Sequence, residues 1–192
     1  MVKEWSFSIS FLFISFILFS QDNDKVLNKK GLSFKAQSLI LSYYEKNDTN
    51  ISPYQTDFEL SNSTFLYGIN TELNYYFSPY FATGLGFGVE QISQPNIVYM
   101  PLYINAIGLF NSGKKSLYSK LNFGIHLGDV DNLGFLFRFG LGGRFVVFKK
   151  IASNIEVTYS FQNIDKTFNN SNRPENYYNI ESIGITIGIE IN

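Results

Sequence analysis

The chain has 192 residues, which is enough for one domain with a substantial core. Only 16% of the residues are charged and the formal net charge is −1, so the composition gives no sign of a nucleic-acid-binding surface. The absence of cysteine excludes disulfides, thiolate metal sites and a cysteine nucleophile.

The first twenty residues have the order of a secretory signal peptide. Lys3 is followed by an apolar run from Trp5 to Phe19, and polar residues come next. That run is shorter than the roughly 20 residues that a spanning helix needs. We therefore predict a cleaved signal peptide over residues 1–20 and a periplasmic linker over residues 21–31, with an uncleaved membrane anchor as the alternative.

The rest of the chain, residues 32–192, is predicted to be an all-β domain of eight antiparallel strands. Aromatic residues make up 18% of the sequence and there are 15 glycines, a mixture that favours strands and turns over helices. The strands are predicted at residues 32–44, 65–77, 81–92, 97–110, 117–127, 133–148, 155–164 and 179–191.

The second and third strands carry the clearest period-two alternation, with large apolar residues at odd positions and small or polar residues at even positions. Because the parity is the same in both strands, the loop that joins them must contain an odd number of residues. We predict a three-residue loop at 78–80, which places Phe77 opposite Phe81 and Glu72 opposite Gly86.

Three other features carry weaker signals. The parity of the first strand is poorly defined, and Pro101 interrupts the fourth strand, which a central ladder position would resist. The pair Gly142 and Gly143 predicts a bulge in the sixth strand.

The connections between the strands alternate in length. Those after strands two, four and six are short, whereas the longest, residues 45–61 and 165–176, follow strands one and seven. Short turns on one side and long loops on the other are typical of outer-membrane barrels.

The volume of the side chains indicates which face of the strands meets which environment. Roughly 40 bulky apolar groups share one face, more than the interior of an eight-stranded barrel can hold. The opposite face is rich in glycine, which suits a narrow interior. Its glycines are Gly68, Gly84, Gly86, Gly88, Gly124, Gly140, Gly142, Gly184 and Gly188. We therefore expect a transmembrane barrel with its apolar face toward lipid; the alternative is a soluble, lipocalin-like barrel with that face inside.

The glycine-rich face also carries ionisable side chains of both signs. Inside a lumen they can pair with one another, whereas an isolated charge there would be costly. We predict that they form a structural charge network. Its members are Glu72, Glu90, Lys120, His126, Arg138, Arg144, Glu156 and Glu190.

These features together resemble the small outer-membrane β-barrels of Gram-negative bacteria, of the eight-stranded OmpA-like and OmpX-like type. The resemblance covers Leu32 to Ile191 and is carried by the leader, the alternation, the Gly84-Leu85-Gly86-Phe87-Gly88 segment and a final strand that reaches the end of the sequence. One departure is that such barrels commonly end on an aromatic residue recognised by the assembly machinery, whereas this sequence ends on Asn192.

The resemblance implies an outer-membrane location and a non-enzymatic structural or surface-interaction role through the extracellular loops. The implied partners are outer-membrane lipid and lipopolysaccharide, with the barrel-assembly machinery during insertion, and the expected state is a monomer without cofactor, metal or nucleic acid. A first alternative is a narrow, porin-like pore or another transport route for small molecules. A second is a lipid A-modifying enzyme that uses His126 with a serine such as Ser160 or Ser182, although no nucleophile lies next to His126 in the sequence.

Overall fold

The computed structural model describes residues 30–43, 64–94, 96–128, 134–166 and 176–192. In these residues the chain forms eight strands and no helix. The strands are β1 Gly31–Tyr43, β2 Phe65–Ser78, β3 Phe81–Ile92, β4 Ile97–Leu109, β5 Lys115–Gly128, β6 Phe135–Phe148, β7 Ile151–Lys166 and β8 Asn176–Ile191. No helix that could cross a membrane is found in these parts of the chain.

The strands close into an antiparallel up-and-down barrel. Each strand pairs with its neighbours in the sequence, and β1 also pairs with β8, from Phe34 opposite Ile191 to Tyr43 opposite Ser182. This confirms the predicted eight-stranded all-β barrel. The main differences lie in β7 and β8, which begin four and three residues earlier than predicted because both extend beyond their apolar segments.

The barrel has two ends that are named here for their connections. The turn rim holds the start of β1, the end of β8 and the β2–β3, β4–β5 and β6–β7 connections. The loop rim holds the β1–β2, β3–β4, β5–β6 and β7–β8 connections. The predicted signal peptide, most of the predicted linker and most of the two long loops lie outside the described residues, and the last linker residue, Gly31, is the first residue of β1.

The β2–β3 hairpin corrects one detail of the predicted register. Glu72 lies opposite Gly86 as predicted, but Ser78 rather than Phe77 lies opposite Phe81. The turn contains two residues, and the odd residue required by the parity is Phe77, which forms a bulge between Tyr76 and Ser78. The Phe77 and Phe81 rings still stack, with their centroids 6.2 Å apart.

The β6–β7 hairpin has the same construction and overturns the bulge predicted at Gly142 and Gly143. Those glycines pair in regular register with Glu156 and Ile155, and the register shift lies instead between Val146 and Phe148. Both bulges are therefore next to a tight turn at the turn rim, where an extra residue can be accommodated without disturbing the rest of the ladder.

Pro101 lies within β4, and the structure accommodates it. On one side it is paired with His126 of β5. On the other side, toward β3, Leu102 is paired with Phe87 and the next pair is Tyr99 with Glu90. The β3–β4 ladder is therefore interrupted beside the proline. The interruption suits a residue that has no N–H to donate.

The alternation places large apolar side chains on the outside of every strand. Among the described residues, thirty-three large hydrophobic side chains are exposed, and in β8 they are isoleucines at every second position from Ile183 to Ile191, each at least half exposed. The barrel is thus apolar outside, and its polar side chains point inward.

Candidate functional site

The interior of the barrel is the candidate site, and it has three layers. Near the loop rim lies an apolar cluster of Leu39, Leu41, Leu66, Ile92, Ile97, Tyr99, Ile164 and Ile180, each at most 2% exposed. Near the turn rim lies a second cluster of Tyr76, Ala82, Ile107, Leu109 and Tyr118. Between them lie the charged and amide side chains. Both apolar clusters depart from the small or polar interior that the sequence predicts.

The structure places all eight predicted network residues in the interior, each no more than 4% exposed. It adds Lys35 of β1, which is 3% exposed. The described interior thus holds four carboxylic side chains and four basic ones, Lys35, Lys120, Arg138 and Arg144, so its formal charges are equal in number.

The strongest pair of the network joins Glu90 of β3 to Arg138 of β6. The two guanidinium nitrogens Nη1 and Nη2 of Arg138 donate to the two carboxylate oxygens at 2.6 and 2.5 Å, a bidentate arrangement. Asn70 donates to Oε1 at 2.9 Å, and the Tyr99 hydroxyl donates to Oε2 at 2.7 Å. The Arg138 Nε also donates to Ser160 at 3.1 Å. The buried carboxylate is therefore surrounded by donors, which offsets much of its desolvation cost.

A second group forms around the ammonium of Lys120 on β5. Its Nζ lies 3.2 Å from Glu72 of β2 and 3.4 Å from Glu156 of β7. The same Nζ donates to Gln37 of β1 at 3.1 Å, and the Tyr103 hydroxyl donates to Glu72 at 3.1 Å. Because β1 and β5 are four strands apart in an eight-stranded ring, this group spans the full width of the lumen.

A third group lies toward the turn rim. Arg144 Nε donates to Glu190 at 2.8 Å, and the Tyr76 hydroxyl donates to the other oxygen of the same carboxylate at 2.9 Å. Lys35 lies nearby, with its Nζ 5.3 Å from the centroid of the Tyr118 ring, within the range of a cation–π contact. These contacts connect β2, β6 and β8, which are not neighbours in the sheet.

Lys35 is the charged residue that the sequence interpretation missed. The first strand alternates less clearly than the others because Leu39 and Leu41 point inward with Lys35, while Ser38 and Ser42 point away from the lumen. The signal in the sequence that could have found it is the set of apolar residues at even positions, Leu32, Phe34 and Ile40, which the structure places on the outside.

His126 lies inside the barrel and is 0% exposed. Its ring packs edge-on against that of Tyr99, with 4.6 Å between the centroids. The two serines considered with it are not its partners in the hydrogen bonds found: the Ser160 hydroxyl accepts from Arg138, and Ser182 lies on β8. In the described part of the chain the His126 ring forms no hydrogen bond or ion pair with the other seven predicted network residues, so it lies in the interior as a packed histidine and does not join the charge network that the sequence predicts.

The inward glycines make room for these side chains. A Cβ added at any of the nine inward glycines would come within 3.0 Å of another atom. At Gly86 it would meet the Tyr103 ring, and at Gly124 it would meet the backbone of Leu102 and Tyr103. Tyr103 thus occupies the space that these two glycines leave, and its hydroxyl reaches Glu72.

One cavity of about 10 Å³ lies toward the turn rim, next to Lys35, Arg144 and Glu190. That volume holds about one water molecule. No group of three or more histidine or carboxylate side chains that could bind a metal ion occurs in the described residues.

No protein-family model matches the chain, and no curated protein matches it. Among solved structures, the chain is similar to the solid-state NMR structure of outer membrane protein AlkL in DMPC lipid bilayers. The identity is 12%, the match covers 90% of this chain and 94% of that one, and the TM-score is 0.49. A likeness this distant carries no argument about function.

Proposed function

We propose that the protein is an outer-membrane β-barrel with a closed lumen, and that its role is structural or one of surface interaction. The observation that carries the proposal is the combination of a continuous apolar exterior with an interior closed by paired charges. The outer-membrane location also rests on the signal peptide predicted from residues 1–20.

The exterior supports a lipid environment. Water-soluble monomers rarely expose a continuous apolar patch larger than a few hundred Å², whereas this barrel exposes large apolar side chains on all eight strands. Closed barrels satisfy their backbone hydrogen bonds internally, which makes them one of the two architectures that can span a bilayer. In a soluble barrel of the lipocalin type, the large apolar side chains would instead point into the lumen.

The interior favours a structural role over a pore. Ions would have to break the bidentate Glu90–Arg138 pair and the group around Lys120, both of which cross the lumen. Open aqueous channels belong to larger barrels. We therefore assign any interaction role to the long connections after β1 and β7, since connecting segments commonly carry function on a rigid scaffold.

A non-enzymatic role fits the surroundings of His126. Lipid substrates would approach the barrel from its outside, and His126 is buried in the lumen against Tyr99. The partners proposed with this role are outer-membrane lipid, lipopolysaccharide and the assembly machinery that inserts barrels.

The test combines fractionation with conductance. We expect the full chain, expressed in a Gram-negative host, to fractionate with the outer membrane and to show heat-modifiable migration on gels. In planar bilayers the purified protein should give no steady single-channel steps. A soluble, heat-unmodifiable protein would overturn the membrane assignment, and reproducible steps would replace the closed lumen with a pore. Altered lipid A on expression of the wild type, lost with His126→Ala, would instead establish an enzyme.

A further inference from the structure

The charged side chains outside the lumen are sorted between the two ends of the barrel. Five exposed lysines lie at the turn rim: Lys30, Lys114, Lys115, Lys149 and Lys150. Lys30 precedes β1, Lys114 and Lys115 lie at the β4–β5 connection, and Lys149 and Lys150 form the β6–β7 turn. Among the described residues, no exposed acidic side chain lies at this rim.

The acidic residues belong to the opposite half. Glu181, on the loop half of β8, accepts a hydrogen bond from the Tyr159 hydroxyl at 2.9 Å. Apart from the four lumen carboxylates, the other acidic residues from position 30 onward occur in the sequence segments that connect β1 to β2, β5 to β6 and β7 to β8, or at the strand ends next to those segments. Counted with Glu181, these segments of the sequence contain nine acidic residues and three basic ones. Among the described residues, the exposed charged side chains of the turn rim are therefore all basic.

Exposed aromatic residues are close in the sequence to the lysines of the β4–β5 and β6–β7 connections. Phe148 directly precedes the lysine pair of the β6–β7 turn and is 67% exposed, and Phe110 begins the β4–β5 connection and is 68% exposed. An exposed ring next to a long cationic side chain is typical of a membrane interface, where the ring lies at headgroup level and the ammonium extends to the polar layer.

These lysines cover one continuous part of the rim. The β6–β7 turn is separated from the start of β1 by β8 alone, and the β4–β5 connection lies on its other side. The remaining turn, between β2 and β3, carries the exposed aromatic residues Tyr80 and Phe81 but no lysine. The positive charge is therefore concentrated on the arc from β4 through β8 to β1.

We propose that this lysine arc binds the headgroups of anionic phospholipids in the leaflet next to the turn rim. The inference rests on the membrane location proposed above. The complementary partner is phosphate, because a lysine ammonium is a compact point charge that attracts anions without demanding a fixed geometry. The arc should therefore select lipids by their net negative charge rather than by the identity of the headgroup, with about a fivefold preference for each lysine at the surface.

The experiment measures lipid selectivity at the barrel perimeter. The full chain is reconstituted in phosphatidylcholine bilayers that contain trace spin-labelled phosphatidylglycerol or spin-labelled phosphatidylcholine, and the motionally restricted fraction of each label is compared. We expect the wild type to prefer phosphatidylglycerol several-fold at low salt and much less at high salt, because salt screens exposed charges.

Two variants give the matched comparison. Replacing Lys30, Lys114, Lys115, Lys149 and Lys150 by glutamine should bring the preference close to one, whereas replacing the same five by arginine should retain it. An unselective wild type, or a glutamine variant that keeps the full preference, would overturn the proposal. Loss of the preference in the arginine variant would contradict recognition by charge.

Insertion is checked in the same samples by heat-modifiable migration. A chain that inserts but does not select anionic lipid refutes the lysine arc and leaves the membrane barrel standing. A chain that does not insert refutes both.

Discussion

At the scale of single residues, the interior is governed by the cost of burying charge. A carboxylate placed in the lumen without partners loses its hydration and gains nothing in return. Glu90 avoids this through Arg138, Asn70 and Tyr99, which together supply four hydrogen bonds to its two oxygens. The pairing lowers the cost of burying the charge. Removal of one partner of the pair should therefore be more damaging than removal of both.

Replacement of Arg138 by methionine should therefore lower the free energy of unfolding by about 3–5 kcal/mol, because Glu90 would remain buried without its cation. The measurement is the urea-unfolding transition of the barrel folded in lipid vesicles, followed by tyrosine fluorescence. In the double variant Arg138→Met with Glu90→Gln, much of the loss should be recovered, since no buried charge is left unpaired. As a control, Thr71→Ala removes an exposed hydroxyl contact and should have little effect. A double variant as unstable as the sum of its two single variants would show that the pair is not coupled.

The positions of the lumen residues follow from alternation, but their partners do not. Period-two parity indicates that Glu90 and Arg138 share the inward face, yet the two are 48 residues apart and come from strands that are not neighbours. Which cation reaches which carboxylate depends on the tilt and stagger of the closed barrel. The apolar layers at the two ends were missed for a related reason: a glycine on one strand leaves room for a large inward side chain on another, as Gly142 of β6 does for Tyr118 of β5.

At the scale of elements, the parity of β2 and β3 specifies an odd number of residues between the regular segments but not how they are arranged. A three-residue loop and a two-residue turn with a one-residue bulge both preserve the facing of the two strands. The structure contains the second arrangement, with Phe77 as the extra residue, and the β6–β7 hairpin repeats it. Two-residue turns are common hairpin connections because their twist matches that of the strands.

Deletion of Phe77 should therefore be tolerated. It removes the bulge, keeps Tyr76 opposite Ala82 and Ser78 opposite Phe81, and leaves the inward and outward faces unchanged. Deletion of Leu73, in the regular part of the same strand, should prevent folding because it moves the side chains on one side of the deletion to the opposite face. Heat-modifiable migration after refolding into vesicles reports the outcome. Equal folding of the two deletion variants would contradict the assigned register.

At the scale of the whole molecule, the two faces of the barrel have opposite requirements. The interior must be filled and electrically balanced, and the exterior must match its solvent. The eight strands and their facing follow from the sequence because side-chain volume leaves one solution: too many bulky apolar groups lie on one face to fit inside. The exposed isoleucines of β8 allow a direct test of which medium the outer face meets.

Arginine substitutions along β8 distinguish a lipid-facing surface from a water-facing one. Ile185 lies near the middle of the strand and Ile191 at its end on the turn rim, and the two are 52% and 50% exposed. In a bilayer, Ile185→Arg should lower the free energy of unfolding by about 2–4 kcal/mol, whereas Ile191→Arg should cost about 0–1 kcal/mol, because the penalty falls from the midplane to the interface. Unfolding from vesicles measures both variants against the wild type. Similar small effects at the two positions would indicate a water-facing surface, since exposed side chains of equal burial differ only if the surrounding medium changes along the barrel axis.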